Sequence, residues 1–563
     1  MSAENPQLGG ELVQRWGKMC SDRAPWQTLW QQIADYIMPR KFGGAAPTAP
    51  GTAREARLFD TTAIHANTVL ANGQLSWAHG DGWFSLQPPA KFKNSPSAKK
   101  WFQEVTEITR DLLANSSNFQ TAVHEFYLDR SAFGTAALYV EAGKSRALNF
   151  QVFPLGAFAI EEDEEGTVDT VFREFKLTAR QAESKFGRDN LPKKILDALD
   201  SKDASRKQAQ FTFIHCIYPR TPSEIDAKAG GPLNMPVASV YVATEDKTVV
   251  SHSGYLEMPA MVSRFLEWNS GLGGIYGWSP AWAALPAAKQ LNSLQMWMDA
   301  LAEKAAFPPI LKPASHEGEI DLSAGAINEY DDSNGLGAAM PKEFESGGRG
   351  YDLGLQRIQE RQNEVNRHFF VDLFQMFRDS DGKNITATFV SAKMREQIAQ
   401  ISPSFSRLKN ELHGPLLNRV FSICLQQGYY PGPPPELVER IEGAALGNIP
   451  SPLIGYNSRF DLELRALNGS ALEQAMMQLQ AFGAFDPSVT DNIRFDEPTR
   501  DAFANLPVRY LRPIDERDSI RKAKAEQAQQ QAQMMQAAEA AKAAGSLGKL
   551  DPANVEKLAA IAQ

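Results

Sequence analysis

The sequence predicts an α+β fold, mainly helical, on three observations. Apolar residues recur at three- and four-residue steps over several long segments, the pattern of amphipathic helices. After Gly134 the apolar period shifts to two, with Val, Ile, Phe and Tyr runs set between turn formers, the pattern of a mostly antiparallel sheet. A chain of 563 residues, 43% apolar and 10% aromatic, exceeds what one core usually supports. Two to four subdomains are therefore expected, at roughly 100 to 200 residues each.

Residues 11–38 and 60–78 read as helices, with Asp60, Thr61 or Thr62 available as N-cap of the second. The segment GGAAPTAPGTAR between them is a loop with several breakers. Residues 97–131 read as helical, carrying Trp101, Val105, Ile108 and Leu112, then Phe126 and Tyr127. Strands are predicted at 136–140, 147–153, 157–162, 168–177, 211–218, 237–243 and 260–266. A helical patch near 178–200, capped by Thr178, interrupts them.

At the centre, Ser279 as N-cap and Pro280 in the first turn open a helix through 306, with Leu291, Leu294, Met298, Leu301 and Ala305 on one stripe. Phe307-Pro308-Pro309 stops it, and a Gly- and Asp-rich insert follows. Helical periodicity resumes near Leu353, with Leu355, Ile358, Val365, Phe369, Leu373, Met376 and Phe377 on one face. Arg357, Arg361, Glu364, Arg367 and Arg378 cluster on the other. After the loop RDSDGKN at 378–384, a third helical pattern runs from about Thr386 to Gln427, on the stripe Ile401, Phe405, Leu408, Leu412, Leu416, Val420 and Ile423. Pro403 and Pro415 predict a kink in it. From Ile514 to Gln563 the chain is rich in Ala, Gln, Lys and Glu, so helix propensity is high without a wide apolar stripe. Such a helix is either a solvated tail or packs against copies of itself.

Charge and composition exclude several classes. Lys and Arg total 58 against 67 Asp and Glu, a net charge of −9. Cys20, Cys216 and Cys424 form no framework spacing, which reads as an intracellular chain with reduced thiols. The N-terminal MSAENPQLGGELVQRW has no basic stretch before an apolar core, and no segment approaches the roughly 20 apolar residues of a spanning helix, so no membrane span is expected. Lys91, Lys93, Lys99 and Lys100 are the best candidates for a basic patch and read as a solvated loop and helix start.

A search for chemistry gives little. No G-x-x-x-x-G-K-[ST] loop and no G-x-S-x-G elbow occurs. The Gly cluster NSGLGGIYG at 269–277 reads as a turn leading into a Pro-started helix. The eight His residues contain no H-x-x-x-H pair, and His215 beside Cys216 lies in an apolar strand pattern. Asp379-Ser380-Asp381-Gly382 lacks the later ligands of a calcium loop. The acidic run Glu161 to Glu165 reads as a solvated hairpin end. Neither an enzyme, a metal nor a cofactor is expected.

Four blocks stand in one order along the chain: WQTLWQQIADYIMPRK (26–41), RLFDTTAIHANTVLANGQLSWAHGDGWFSLQPP (57–89), Arg264 followed by Tyr276-Gly277-Trp278-Ser279-Pro280, and NITATFVSAKMREQ (384–397) with LKNELHGPLLNRVFSICLQQGYYP (408–431). Together they resemble the head-to-tail connecting (portal) proteins of short-tailed, T7-like bacteriophages over roughly residues 12–430. Phe389 stands where that pattern has an acidic residue.

The resemblance implies a portal-type subunit: a wing at 1–279, stem helix 1 at 280–306, a clip at 307–350, stem helix 2 at 351–377, a tunnel loop at 378–385, the kinked long helix and remainder of the wing at 386–513, and a helical crown at 514–563. It implies a dodecameric ring at one capsid vertex, with double-stranded DNA passing through its axis. The other implied partners are a terminase, a tail adaptor protein, the major capsid protein and internal ejection proteins. The place is the head-tail junction of the virion, after a stage in the host cytoplasm. Arg378, Asp379, Asp381, Gly382 and Lys383 would form the DNA-facing tunnel loop, or else an exposed turn against another subunit. Arg357, Arg361 and Arg367 would face the channel. Leu291, Leu294, Met298 and Leu301 would pack against Phe369, Leu373 or Met376 of the same or an adjacent subunit. A negative charge repeated around the ring fits a channel that must not hold a moving polyanion. The alternative is another self-assembling virion protein, a scaffold or a coat subunit.

Overall fold

The first helix, α1 (Pro6–Tyr36), runs through Pro25 without ending. It and the elements below come from a computed structural model that describes residues 6–41, 58–225, 231–269, 274–306, 310–311, 342–343, 349–375, 387–439, 450–462 and 514–547. These divide into two units, residues 1–467 and 468–563. No helix among the described residues is long and apolar enough to cross a membrane.

In the first unit α2 (Thr62–Ala78) starts where expected. Asp60, rather than Thr61, accepts from the Thr62 N–H at 2.8 Å. After β1 (Phe84–Gln87), the helical stretch expected over 97–131 is built as two helices, α3 (Pro96–Asn115) and α4 (Phe119–Phe133). The break follows from side chains that compete for backbone: Ser117 Oγ accepts from the Phe119 N–H at 3.1 Å, and Asn118 turns away to pair with Phe150.

The expected strands are present, as β2 (Thr135–Ala142), β3 (Leu148–Phe153), β4 (Phe158–Glu162), β5 (Val168–Thr178), β6 (Gln210–Pro219), β7 (Val237–Ala243) and β9 (Ala260–Arg264), and β8 (Thr248–Tyr255) joins them. They form two antiparallel sheets, of order β3-β2-β9 and β4-β5-β6-β7-β8. Between β5 and β6 lie α5 (Ala179–Phe186), with a Thr178/Gln181 capping box, α6 (Lys193–Asp200) and the short α7 (Ala204–Lys207). The larger sheet is covered on both sides. Ile214 and Cys216 of β6 meet Leu12, Trp16 and Met19 of α1, whereas Phe211 and Phe213 meet Ala182 and Phe186 of α5. Burial on both faces explains why β7, VASVYVA, is apolar almost throughout.

The Gly cluster expected as a turn lies between two paired strands, β10 (Leu266–Asn269) and β11 (Gly274–Trp278), with residues 270–273 outside the described residues. Gly134, at φ 80° after α4, and Gly277 lie against each other's carbonyl oxygens, where neither site has room for a Cβ.

Then come α8 (Pro280–Ala306), the two-residue ladder of β12 (Ile310–Leu311) with β13 (Lys342–Glu343), α9 (Arg349–His368) and α10 (Val371–Phe374). The remainder of the expected clip lies outside the described residues. The second stem helix, expected through 377, ends at His368, because Phe370 takes left-handed backbone (φ 54°). Met376 and the whole tunnel loop lie outside the described residues, as do 463–513.

The kinked helix is α11 (Ala387–Leu408), one π-turn (Lys409–His413) and α12 (Gly414–Gln426). Pro403 sits within α11 without breaking it. The irregularity is at the second proline: Pro415 has no N–H for the Glu411 carbonyl, and the Gly414 N–H donates to Lys409, five residues back. After α13 (Pro435–Glu439), β14 (Leu453–Tyr456) pairs with β1. The main core collects α1, α2, α3, α4, both ends of the α8/α9 pair nearest the sheets, α11 and α12.

In the second unit, α14 (Ile514–Leu547) is one helix, and residues 521–536 along it are exposed, Met534 and Met535 included.

Candidate assembly hairpin and its anchor

The start of α8 is fixed to α4 and β2. Ser279 is buried and its hydroxyl donates to the Ala132 carbonyl at 2.7 Å, while the Gly277 N–H donates to Thr135 Oγ1 at 2.8 Å. Ala281, Ala284, Leu285, Ala287 and Ala288 belong to the main core. Further along, Lys289 Nζ donates to Gln32 of α1 at 2.8 Å, and the Phe59 N–H donates to Asn292 at 2.7 Å.

Beyond these ties α8 packs on α9 as an antiparallel hairpin. Of the predicted stem stripe, Leu291 is fully buried, and Leu294, Met298 and Leu301 are half-buried. The residue facing Met298 is Gly354, which has no room for a Cβ beneath the thioether. The expected partners Phe369 and Leu373 are elsewhere. The break at Phe370 folds α10 onto α2, so both are buried in the main core, and the Phe374 ring lies on Gly73.

The outer surface of the hairpin is mixed, with large apolar side chains exposed among polar ones such as Asp299, Gln356, Arg357 and Glu360. Trp297 is 61% exposed, Leu353 57%, Leu355 46% and Tyr351 45%. Leu353 and Leu355 are two residues apart, hence about 200° apart around the helix axis. Apolar side chains therefore stand on both flanks of the hairpin. Of the predicted channel arginines, Arg357 pairs with Glu360 at 3.3 Å, Arg361 pairs with Glu364, and Arg367 is exposed.

Two buried guanidiniums, of Arg130 and Arg264, join α4, β9, α11 and the π-turn. Arg130 of α4 donates to Gln74 at 3.1 Å, Ser263 at 3.1 Å, the Arg264 carbonyl at 3.1 Å and the Ser404 carbonyl at 2.8 Å, and lies over the Phe265 ring. Burial holds its pKa down to about 10. Arg264 of β9 is 5% exposed in its side chain and pairs with Glu162 and Glu411. Arg407 donates to Glu411 at 2.9 Å and to Glu267 at 2.7 Å. The acidic run is thus only partly a solvated hairpin end, since Glu161 pairs with Arg15 and Glu162 with Arg264.

At the far end of the π-turn, Tyr127 bridges two histidines. Its hydroxyl lies 2.7 Å from His79 Nε2 and 3.5 Å from His413 Nε2, with the two imidazoles 4.9 Å apart. Burial keeps both neutral, His79 down to about 3 and His413 well below the ordinary range. Sequence reading missed Arg130, Glu411, His79 and His413. The available signal was a charged residue on the apolar face of a predicted helix.

Residues 10–508 match the family described as bacteriophage head to tail connecting protein. A probable portal protein of Bordetella phage BPP-1 is 27% identical over 532 residues, covering 92% of this chain and 91% of that protein. The portal protein of Salmonella phage epsilon15 is 26% identical over 531 residues, covering 92% and 91%. Among solved structures, the neck of an empty gene transfer agent particle matches at a TM-score of 0.33 and 12% identity, covering 69% of this chain and 87% of that one. The virion of a native gene transfer agent particle matches at 0.31 and 13%, covering 78% and 92%. A family match over most of its length places the chain: it belongs to the bacteriophage head to tail connecting proteins, and its function is that of a phage portal.

Proposed function

We propose that twelve copies close into a ring at one capsid vertex, with the α8/α9 hairpins side by side around a channel for double-stranded DNA. The observation that carries this is the pair of apolar flanks. A hairpin with Trp297, Leu353 and Leu355 exposed around it needs neighbours on two sides. Two different patches on one subunit make a head-to-tail contact, which closes into a ring when the rotation permits. Net charge −9 on each copy keeps a passing polyanion from being held. In this reading the ring serves packaging and ejection. It receives a terminase and later a tail adaptor, sits within the major capsid protein shell, and passes internal ejection proteins. Subunits gather in the host cytoplasm before assembly.

The test is the mass of the purified protein, with particle images down the symmetry axis. Rings of about a dozen subunits are expected, with a hole wide enough for a duplex whose major groove alone is about 8.5 Å deep. Trp297→Glu with Leu353→Glu should yield folded subunits that do not close. Shells or filaments would instead indicate a coat or scaffold protein. The tunnel-loop residues Arg378, Asp379, Asp381, Gly382 and Lys383 are proposed to touch DNA during packaging. Deleting 379–383 should impair packaging or DNA retention while rings persist, and normal particles from that deletion would end the assignment.

A further inference from the structure

We propose that the cleft between the β2–β3 turn and the C-terminal end of α12 binds a nucleoside phosphate unit, free or as part of a strand. The cleft measures about 670 Å³, and no carboxylate lines it although the chain is net acidic. Its cations are Lys144 and Arg146, both exposed and, among the described residues, without an ion-pair partner. Ser116, just after α3, and Ser145, between the two cations in sequence, also line it, and their hydroxyls have no partner among the described residues. Tyr429, 42% exposed, also lines the cleft.

Three features hold this arrangement in place. Gly143 turns so tightly on the Arg146 carbonyl that a Cβ has no room, and its N–H donates to Ala147 at 3.2 Å. The Ala147 N–H donates to the Ser116 carbonyl at 3.1 Å, tying the basic turn to the helix break. Tyr429 follows Gly428, at φ 72°, and its N–H closes on the Cys424 carbonyl at 3.0 Å, a helix-terminating motif that fixes the ring's position. The chemistry that matches is an anion beside a π-face. A phosphate takes the two cations and hydroxyls, and a base stacks on the tyrosine. The turn reads Gly-Lys-Ser, residue types suited to phosphate, on a hairpin rather than before a helix.

The proposal is independent of ring closure and is tested on the full chain at low salt with three probes: inorganic phosphate, dAMP, and a labelled twelve-nucleotide oligothymidylate. Binding of dAMP is expected, and Lys144→Ala with Arg146→Ala should weaken it at least tenfold. Tyr429→Leu should weaken dAMP and the oligonucleotide but not phosphate. Lys99→Ala with Lys100→Ala, which removes two other exposed cations, should change none of them. The assembly mass of each variant should match that of the unaltered protein. If the oligonucleotide exceeds dAMP by tenfold or more, the source is a strand; equal affinity indicates the free nucleotide. Absence of binding by dAMP and the oligonucleotide at millimolar concentration, or binding indifferent to the loss of Lys144 and Arg146, overturns the assignment.

Discussion

Arg264 and Glu411 meet through three hydrogen bonds: Nε at 3.0 Å, Nη2 at 2.8 Å, and the Arg264 backbone N–H at 2.7 Å. One carboxylate in the π-turn thus satisfies both the side chain and the backbone of the last residue of β9. Glu411→Ala leaves a buried guanidinium short of a partner. A loss of about 3 kcal/mol is expected, read as a lower urea midpoint of the unassembled subunit. An unchanged midpoint would mean that Glu162 alone suffices.

Acid should destabilise the subunit through its buried histidines. His79 and His413 are kept neutral by burial, as is His215, which stacks on Tyr241 at 3.9 Å. The folded pKa is depressed, so the unfolded chain binds the proton more readily. Stability is full above about pH 6.5 and falls below it, by about 1.4 kcal/mol per pH unit for each histidine. Asp129 acts oppositely. Burial raises its carboxyl to about 6 despite Lys41 at 2.8 Å, so it adds stability as pH falls from about 6 to 4. Urea midpoints at several pH values should show the net loss, and His79→Leu should flatten the slope by about one proton.

Gly73→Ala sets helix propensity against packing. Alanine gains about 1 kcal/mol within a helix, yet its Cβ would enter the Phe374 ring. Overpacking of this kind costs about 1 to 3 kcal/mol. A net loss is expected, relieved in the double variant with Phe374→Leu, and thermal unfolding of all three proteins would show the coupling.

Leu291 and Trp297 should separate folding from assembly. Leu291 is fully buried and Trp297 largely exposed. Leu291→Ala should cost the subunit about 3 kcal/mol. Trp297→Ala should change subunit stability by no more than about 0.5 kcal/mol, while raising the concentration at which rings form, as followed by mass photometry.

Asn118 guards a sheet edge. Its amide donates to the Phe150 carbonyl at 2.7 Å and accepts from the Phe150 N–H at 2.9 Å, as a neighbouring strand would. Asn118→Ala should cost about 1 kcal/mol and increase aggregation on heating, by uncovering the β3 edge.

The sequence made the helices and most strands legible because their faces are buried in steps of 3.6 or 2. Leu291 and Ile401 are found on the sides their spacing assigned. What stayed hidden depends on contacts distant in sequence. Asn118 breaks a helix only because Phe150 is there to receive it, and Phe370 ends α9 so that α10 can cover Gly73. The site was legible in outline, as a hairpin with an apolar stripe. Its outer flanks were not, since Leu355 shares the spacing of the buried stripe yet lies outside it. The ionic cluster escaped because Arg130, Arg264 and Glu411 come from three separate segments with no common motif.

Among the described residues, strand β1 pairs with β14 alone, where Phe84 lies opposite Tyr456. The two belong to opposite ends of the first unit, so this ladder closes one of the longest loops the chain contains. During synthesis the segment around Phe84 leaves the ribosome early and must wait, with an unzipped edge, until the residues near Tyr456 emerge. The subunit therefore carries a built-in delay: a truncated or stalled product lacks its closing strand and keeps the β1 edge open.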